Sequence, residues 1–126
     1  MSAALRIIIV EDDGLIAMDL AELLIAMGHD VCAIAGTEVA AEAAAAQWHP
    51  DLMIVDGSLR SGSGVAAMAR ILATGDIAHF YVTGNPWAVL DQVPGAIVVT
   101  KPFTMRDLQR GMAGACDAAK LRLNPA

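Results

Sequence analysis

Leu5-Arg6-Ile7-Ile8-Ile9-Val10 runs directly into Glu11-Asp12-Asp13. An apolar run without alternation describes a strand buried on both faces, and the acidic triplet then stands at its C-terminal end. Behind it, Leu15, Ile16, Met18, Leu20, Leu23, Leu24 and Met27 recur on a mostly helical period that Gly28 stops. Strand, acidic turn and helix form one unit, and the unit repeats. Residues 31–35 read as a second strand. Thr37 is the N-cap of an alanine-rich helix over 39–48, with Glu38 in its first turn, ended before Pro50. Residues 52–55 give a third strand, 64–73 a third helix, 79–83 a fourth strand and 96–99 a fifth. Thr104 caps a last helix from 105 to about 120, with Asp107 in the first turn, where the helix dipole favours an acid. Between Thr83 and Ala96 the chain is bounded by breakers, Gly84-Asn85-Pro86 and Pro94-Gly95, which leave room for two helical turns at most. The fourth helix is expected to be short or missing. Five strands with crossovers of this length predict an α/β, doubly wound parallel sheet with helices on both faces.

Composition bounds the function. The chain has 126 residues, 8 Lys and Arg against 14 Asp and Glu, and a net charge of −6. At 56% hydrophobic and 17% charged it is too apolar for disorder, and a single domain over 1–126 is expected. An acidic balance argues against direct nucleic-acid binding, which calls for a basic patch. The apolar stretch 7–10 is too short for a signal peptide or a membrane span, so a cytoplasmic location without membrane contact is expected. Cys32 and Cys116 match no metal or redox spacing and read as reduced apolar residues. The tail 121–126 is not expected to open a second domain.

In such a sheet, ligands bind at the C-terminal strand ends, and the polar residues gather there. Glu11 and Asp12 follow strand one, Asp56 ends strand three, Thr83 ends strand four and Lys101 follows strand five. If strands one and three are neighbours, the carboxylates converge and repel one another unless a cation compensates. Mg²⁺ fits, since it takes oxygen ligands and couples one or two carboxylates to a phosphate. With it, Asp56 is a candidate nucleophile that accepts a phosphoryl group as an acyl phosphate. Thr83 and Lys101 could then each hold a phosphoryl oxygen, with Gly84 leaving access. Taken alone, Glu11 and Asp12 also fit a solvated strand end; Asp56 and Lys101 at matching ends favour the metal site. Asp13 reads as an N-cap or first-turn acid of the first helix. His29, His49 and His79 lack ligand spacing and read as structural or exposed.

These pieces, in order, resemble the receiver domain of bacterial two-component response regulators. The similarity runs from Leu5 to about Ala119: Ile8-Ile9-Val10-Glu11-Asp12-Asp13, Pro50-Asp51-Leu52-Met53-Ile54-Val55-Asp56, Gly62-Ser63-Gly64, Val82-Thr83-Gly84 and Lys101-Pro102-Phe103. The resemblance implies a flavodoxin-like, CheY-like sheet of order 2-1-3-4-5. It implies that Asp56 is phosphorylated and that Mg²⁺ is held by Glu11, Asp12, Asp56 and a backbone carbonyl, that of Ser58. It makes Thr83 the switch hydroxyl, pairs Lys101 with the phosphoryl oxygen and places a cis peptide between Lys101 and Pro102. The implied donor is a histidine kinase or histidine phosphotransfer protein. The chain would then be no enzyme but a phosphoacceptor that assists its own phosphorylation and dephosphorylation, and that switches a docking face for an unidentified downstream protein.

Departures from the family pattern bear on output. Val98 stands where the family usually has an aromatic switch residue, and Arg60 where many members have proline. The abbreviated fourth crossover resembles a subset of alphaproteobacterial receivers, including those joined to general-stress anti-sigma-factor antagonists. Trp87 is expected to pack against the sheet or, as the alternative, to join Val98 and Phe103 in an output surface. Ser58 and Asn85 lie where the family tunes hydrolysis. The rival function is a receiver-fold interaction scaffold that works without phosphorylation. A flavin-binding protein of the same sheet is disfavoured, because the acid cluster would repel the flavin phosphate.

Overall fold

The computed structural model describes residues 4–123. Ten elements alternate: β1 Arg6–Val10, α1 Gly14–Ala26, β2 Asp30–Ala35, α2 Glu38–Trp48, β3 Leu52–Asp56, α3 Gly64–Leu72, β4 Ala78–Thr83, α4 Pro86–Gln92, β5 Val98–Thr100 and α5 Met105–Leu123. The strands form one sheet of order β2-β1-β3-β4-β5, and every pairing is parallel. The chain therefore reverses direction across the sheet between β1 and β3, where a doubly wound fold opens its ligand crevice.

Side-chain parity along the strands makes two cores. Ile7, Ile9, Leu52, Ile54, Phe80 and Val82 face α1 and α5, which return Leu20, Leu24, Leu108 and Met112. Ile8, Val10, Met53, Val55 and Tyr81 face the opposite layer, filled by Ala41 and Ala45 of α2, Val65, Met68 and Ile71 of α3, and Val89 of α4. Alternate residues of one strand thus bury into different layers, which is why β1 and β3 read as continuous apolar runs. Small residues on α2 let it lie close to the sheet.

Helix starts follow the polar caps. Asp13 accepts the Leu15 and Ile16 amides, Thr37 that of Ala40, Ser63 that of Ala66 and Asn85 that of Ala88. Thr104 and Asp107 exchange side-chain-to-amide bonds at the head of α5, in the manner of a capping box. The fourth helix is present and short, seven residues beginning at Pro86. The fifth strand begins later than the sequence suggests: the Ala96 amide closes a turn on the Val93 carbonyl, and the Ile97 carbonyl accepts from Tyr81 just ahead of the paired residues. The turn, rather than apolarity, decides where pairing starts.

β1 and β2 slip by one residue between Ile7 and Ile8, and Cys32 at the slip donates its thiol to the Ile7 carbonyl. Both cysteines are free thiols. Among the described residues, no helix is long and apolar enough to cross a membrane. The tail beyond 123 lies outside the described residues.

Candidate functional site

All five chemistry-bearing positions stand at one end of the sheet because each directly follows or ends a strand. Glu11 leaves β1 with its amide on the Ala35 carbonyl, which keeps the side chain beside the sheet, 5% exposed. Asp56 is the last residue of β3 and is 8% exposed. One carboxylate oxygen from each of Glu11, Asp12 and Asp56 lies within 4.8 Å of the others. Asp13 takes no part, since its side chain caps α1.

Lys101 enters this cluster from the segment after β5. Its amide bonds the Thr83 carbonyl, and the Lys101–Pro102 peptide is cis. The ammonium lies 2.8 Å from Glu11 Oε1 and 3.1 Å from Asp56 Oδ2. One ammonium is shared by two buried carboxylates, and the third is left to other donors. Asp12 Oδ2 accepts the Arg60 amide, and the Arg60 guanidinium Nε lies 3.8 Å from the same oxygen. Arg60 thus sits over Asp12, largely exposed, rather than on the Asp56 carboxylate.

The loop after β3 braces Asp56 from the other side. The Ser58 amide donates to Asp56 Oδ1 at 3.0 Å, and Ser58 pairs with Ser63 in an isolated antiparallel bridge. Gly64 opens α3 directly against the Asp56 backbone carbonyl, where a Cβ would overlap that oxygen. Glycine at position 64 is therefore required by the close approach of helix and strand.

Charge crowding sets the titration. Burial pushes the Glu11 carboxyl up to about 7, helped by the adjacent Asp56, while the Lys101 ammonium and the Asp13 amide pull it down. The Arg60 amide holds Asp12 below its ordinary value. Burial alone would lower Lys101, but its bonds to Glu11 and Asp56 outweigh it and raise the ammonium's pKa. A single ammonium does not neutralise three carboxylates. The donor set is all hard oxygen, with no nitrogen or sulfur ligand, and so fits a small divalent cation such as Mg²⁺.

Thr83 ends β4, 3% exposed, one residue past the Asp56–Val82 pairing. Its Oγ1 accepts the Asn85 amide at 3.0 Å, so Thr83 is tied to the N-cap of α4. Gly84 is exposed, and a Cβ there would meet nothing within 4 Å. Trp87 is 73% exposed on α4, which corrects the expectation that it packs against the sheet. With Pro86 at the first helical turn and Val89 turned inward, the helical period carries Trp87 outward. Val98 is half-buried opposite Tyr81, and Phe103 is half-buried against the α1–α5 core, so these two do not share Trp87's exposure. His29 accepts the Leu5 amide and His79 bonds the Ile77 carbonyl, both in structural settings. The sequence reads Glu38 only as a first-turn acid of α2, yet it reaches the β3–α3 loop and accepts the Ser63 amide at 2.7 Å. Its partner lies 25 residues away, a pairing no local spacing reveals.

No family model matches the chain. It is 35% identical over 104 residues to the phyllosphere-induced regulator PhyR of Methylorubrum extorquens, a match covering 79% of this chain and 39% of that protein. The solution structure of the Erythrobacter litoralis PhyR response regulator REC domain superposes with a TM-score of 0.82 at 31% identity, covering 90% of each chain. The anti-anti-sigma factor PhyR from Bartonella quintana gives 0.82 at 29% identity over 98% of this chain and 51% of that one. The chain thus spans well under two thirds of the full-length relatives. With the sheet order, the strand-end residues and the 90% mutual coverage in agreement, this chain belongs to the receiver domains of response regulators, the family that serves two-component signal transduction.

Proposed function

We propose that the chain is a phosphoacceptor in which Asp56 takes a phosphoryl group from the phosphohistidine of a histidine kinase or phosphotransfer protein. The observation that carries this reading is the convergence on Asp56 of two further carboxylates and the Lys101 ammonium. In the transfer, an Asp56 carboxylate oxygen attacks phosphorus, the phosphorus–nitrogen bond breaks and the imidazole leaves with the bond's electron pair. The product is an acyl phosphate. Glu11, Asp12, Asp56 and the Ser58 carbonyl would hold Mg²⁺, which supplies charge neutralisation for the transferring phosphoryl oxygens.

Each residue of the chain has a separate task. The Ser58 amide fixes the Asp56 carboxylate, so little reorganisation is needed before attack. Lys101 already faces Asp56 Oδ2 and can exchange that contact for a phosphoryl oxygen. Thr83 turns its hydroxyl to another phosphoryl oxygen and thereby loosens its bond to the Asn85 amide, which frees α4 to shift. Val98 supplies no aromatic ring to this movement, so the α4 segment with exposed Trp87 carries the signal. The chain is a signalling module rather than an enzyme acting on a separate substrate, and it works in the cytoplasm. By similarity to the Bartonella protein described as an anti-anti-sigma factor, the downstream partner is an anti-sigma-type protein.

The test is intact mass after incubation with a small phosphodonor, with and without Mg²⁺, beside Asp56→Asn. One added phosphoryl group that needs both Mg²⁺ and Asp56 supports the reading. An unchanged mass, with a melting temperature indifferent to Mg²⁺, favours a scaffold that works without phosphorylation.

A further inference from the structure

The β3–α3 loop carries two amides that hold the site, Ser58 on Asp56 and Arg60 on Asp12. Loops of this kind are mobile unless something ties them down. Here the tie comes from a different element. Glu38, in the first turn of α2, accepts the Ser63 amide through Oε2 and occupies the space beside Gly62. Gly62 has φ +89°, and a Cβ there would overlap the Glu38 carboxylate, so glycine is required twice over.

Glu38 is itself held. Its Oε1 pairs with Arg70 of α3, whose Nε also bonds Glu42 Oε1 at 3.0 Å, one turn further along α2. The carboxylate therefore has one oxygen on the loop and one on the clamp. Arg70 joins the two helices, and Glu38 passes their relative position to the loop. Isolated surface ion pairs contribute little stability, which makes this arrangement more informative as a constraint on geometry than as a source of binding energy.

Resting on the phosphoacceptor reading, we propose that Glu38 is a positioning residue for the site: held by Arg70, it fixes Gly62 and Ser63, and so the loop whose amides orient Asp56 and Asp12. It touches neither the metal nor the phosphoryl group. Groups that orient ligands from behind typically change metal affinity by about 10- to 100-fold when removed. The site's affinity is thus set in part on the α2–α3 surface, away from the crevice.

The test has two readouts on the whole chain. One is amide hydrogen exchange of Arg60 and Ser63 without metal; the other is the Mg²⁺ dissociation constant from tryptophan fluorescence. Glu38→Ala is expected to speed exchange at both amides and to weaken Mg²⁺ about tenfold or more. Glu38→Gln, which keeps an acceptor for Ser63 but gives up the charge pairing with Arg70, is expected to fall between Glu38→Ala and wild type on both. Should Glu38→Ala fail to fold, Arg70→Met removes the clamp from an exposed position and carries the same comparison. Unchanged Arg60 exchange and unchanged Mg²⁺ affinity, even with a lower melting temperature, would overturn the proposal by leaving Glu38 a merely structural role. If the wild-type chain binds no Mg²⁺, the phosphoacceptor reading fails separately, and Arg60 exchange in the metal-free protein decides the positioning role alone.

Discussion

Lys101 Nζ stands 3.1 Å from Asp56 Oδ2, on the opposite carboxylate oxygen from the one that accepts the Ser58 amide. The two contacts hold the Asp56 carboxylate at both oxygens. The same ammonium lies 2.8 Å from Glu11, so its removal leaves two buried carboxylates uncompensated. Lys101→Met is therefore expected to lower the melting temperature of the metal-free chain by about 5–10 °C, part of the loss being relieved as Glu11 takes up a proton. Mg²⁺ should raise the melting temperature of the variant more than that of the wild type, because it meets more unbalanced charge. Paired thermal melts with and without Mg²⁺ check this; equal shifts in both proteins would count against shared neutralisation.

Stability should also depend on pH through Glu11. Its folded-state value of about 7 lies above the ordinary 4.5, so between these values the folded chain binds more protons than the unfolded chain. Glu11's favourable contribution is present in full below about pH 4.5 and is lost as pH rises through about 7. Urea unfolding at pH 5.5, 6.5 and 7.5 without metal is expected to show falling stability, with a flatter profile in Glu11→Gln. Mg²⁺ competes with the same proton and should bind more tightly at pH 8 than at pH 6. A wild-type profile that rises over this window would contradict the crowding seen around Glu11.

Thr83 links the site to α4 through the Asn85 amide, and Trp87 stands exposed two residues further on. Thr83→Ala removes one hydrogen bond and is expected to cost about 1 kcal/mol of stability. In a Trp48→Phe background, phosphodonor plus Mg²⁺ should change Trp87 emission in the parent chain. With Thr83→Ala added, Asp56 should still gain a phosphoryl group while the emission change disappears. Emission that changes equally in both would place the output elsewhere.

The strands and the site's residue types were legible because burial on both faces demands continuous apolar runs, and because charge collects where those runs end. Ile7 to Val10 and Glu11-Asp12 show both rules within six residues. Features set by packing between distant segments were not legible. The exposure of Trp87 depends on which side of a seven-residue helix meets the sheet. The late start of β5 depends on a turn that uses up Ala96. Arg60 stands out in the sequence only as a departure from the family pattern, and its pairing appears only in the fold, where its backbone amide and its guanidinium both meet Asp12. Glu38 looks like any first-turn acid until α2 and α3 are placed side by side.

The most direct measurement is the position of the acquired phosphoryl group. Treatment of the phosphorylated chain with borohydride reduces an aspartyl phosphate to homoserine, which peptide mapping then locates. Homoserine at position 56, formed only when Mg²⁺ accompanied the phosphodonor, is the expected result. Homoserine at Asp12 or elsewhere, or the same yield at position 56 without Mg²⁺, would contradict Asp56 as the metal-assisted phosphoacceptor.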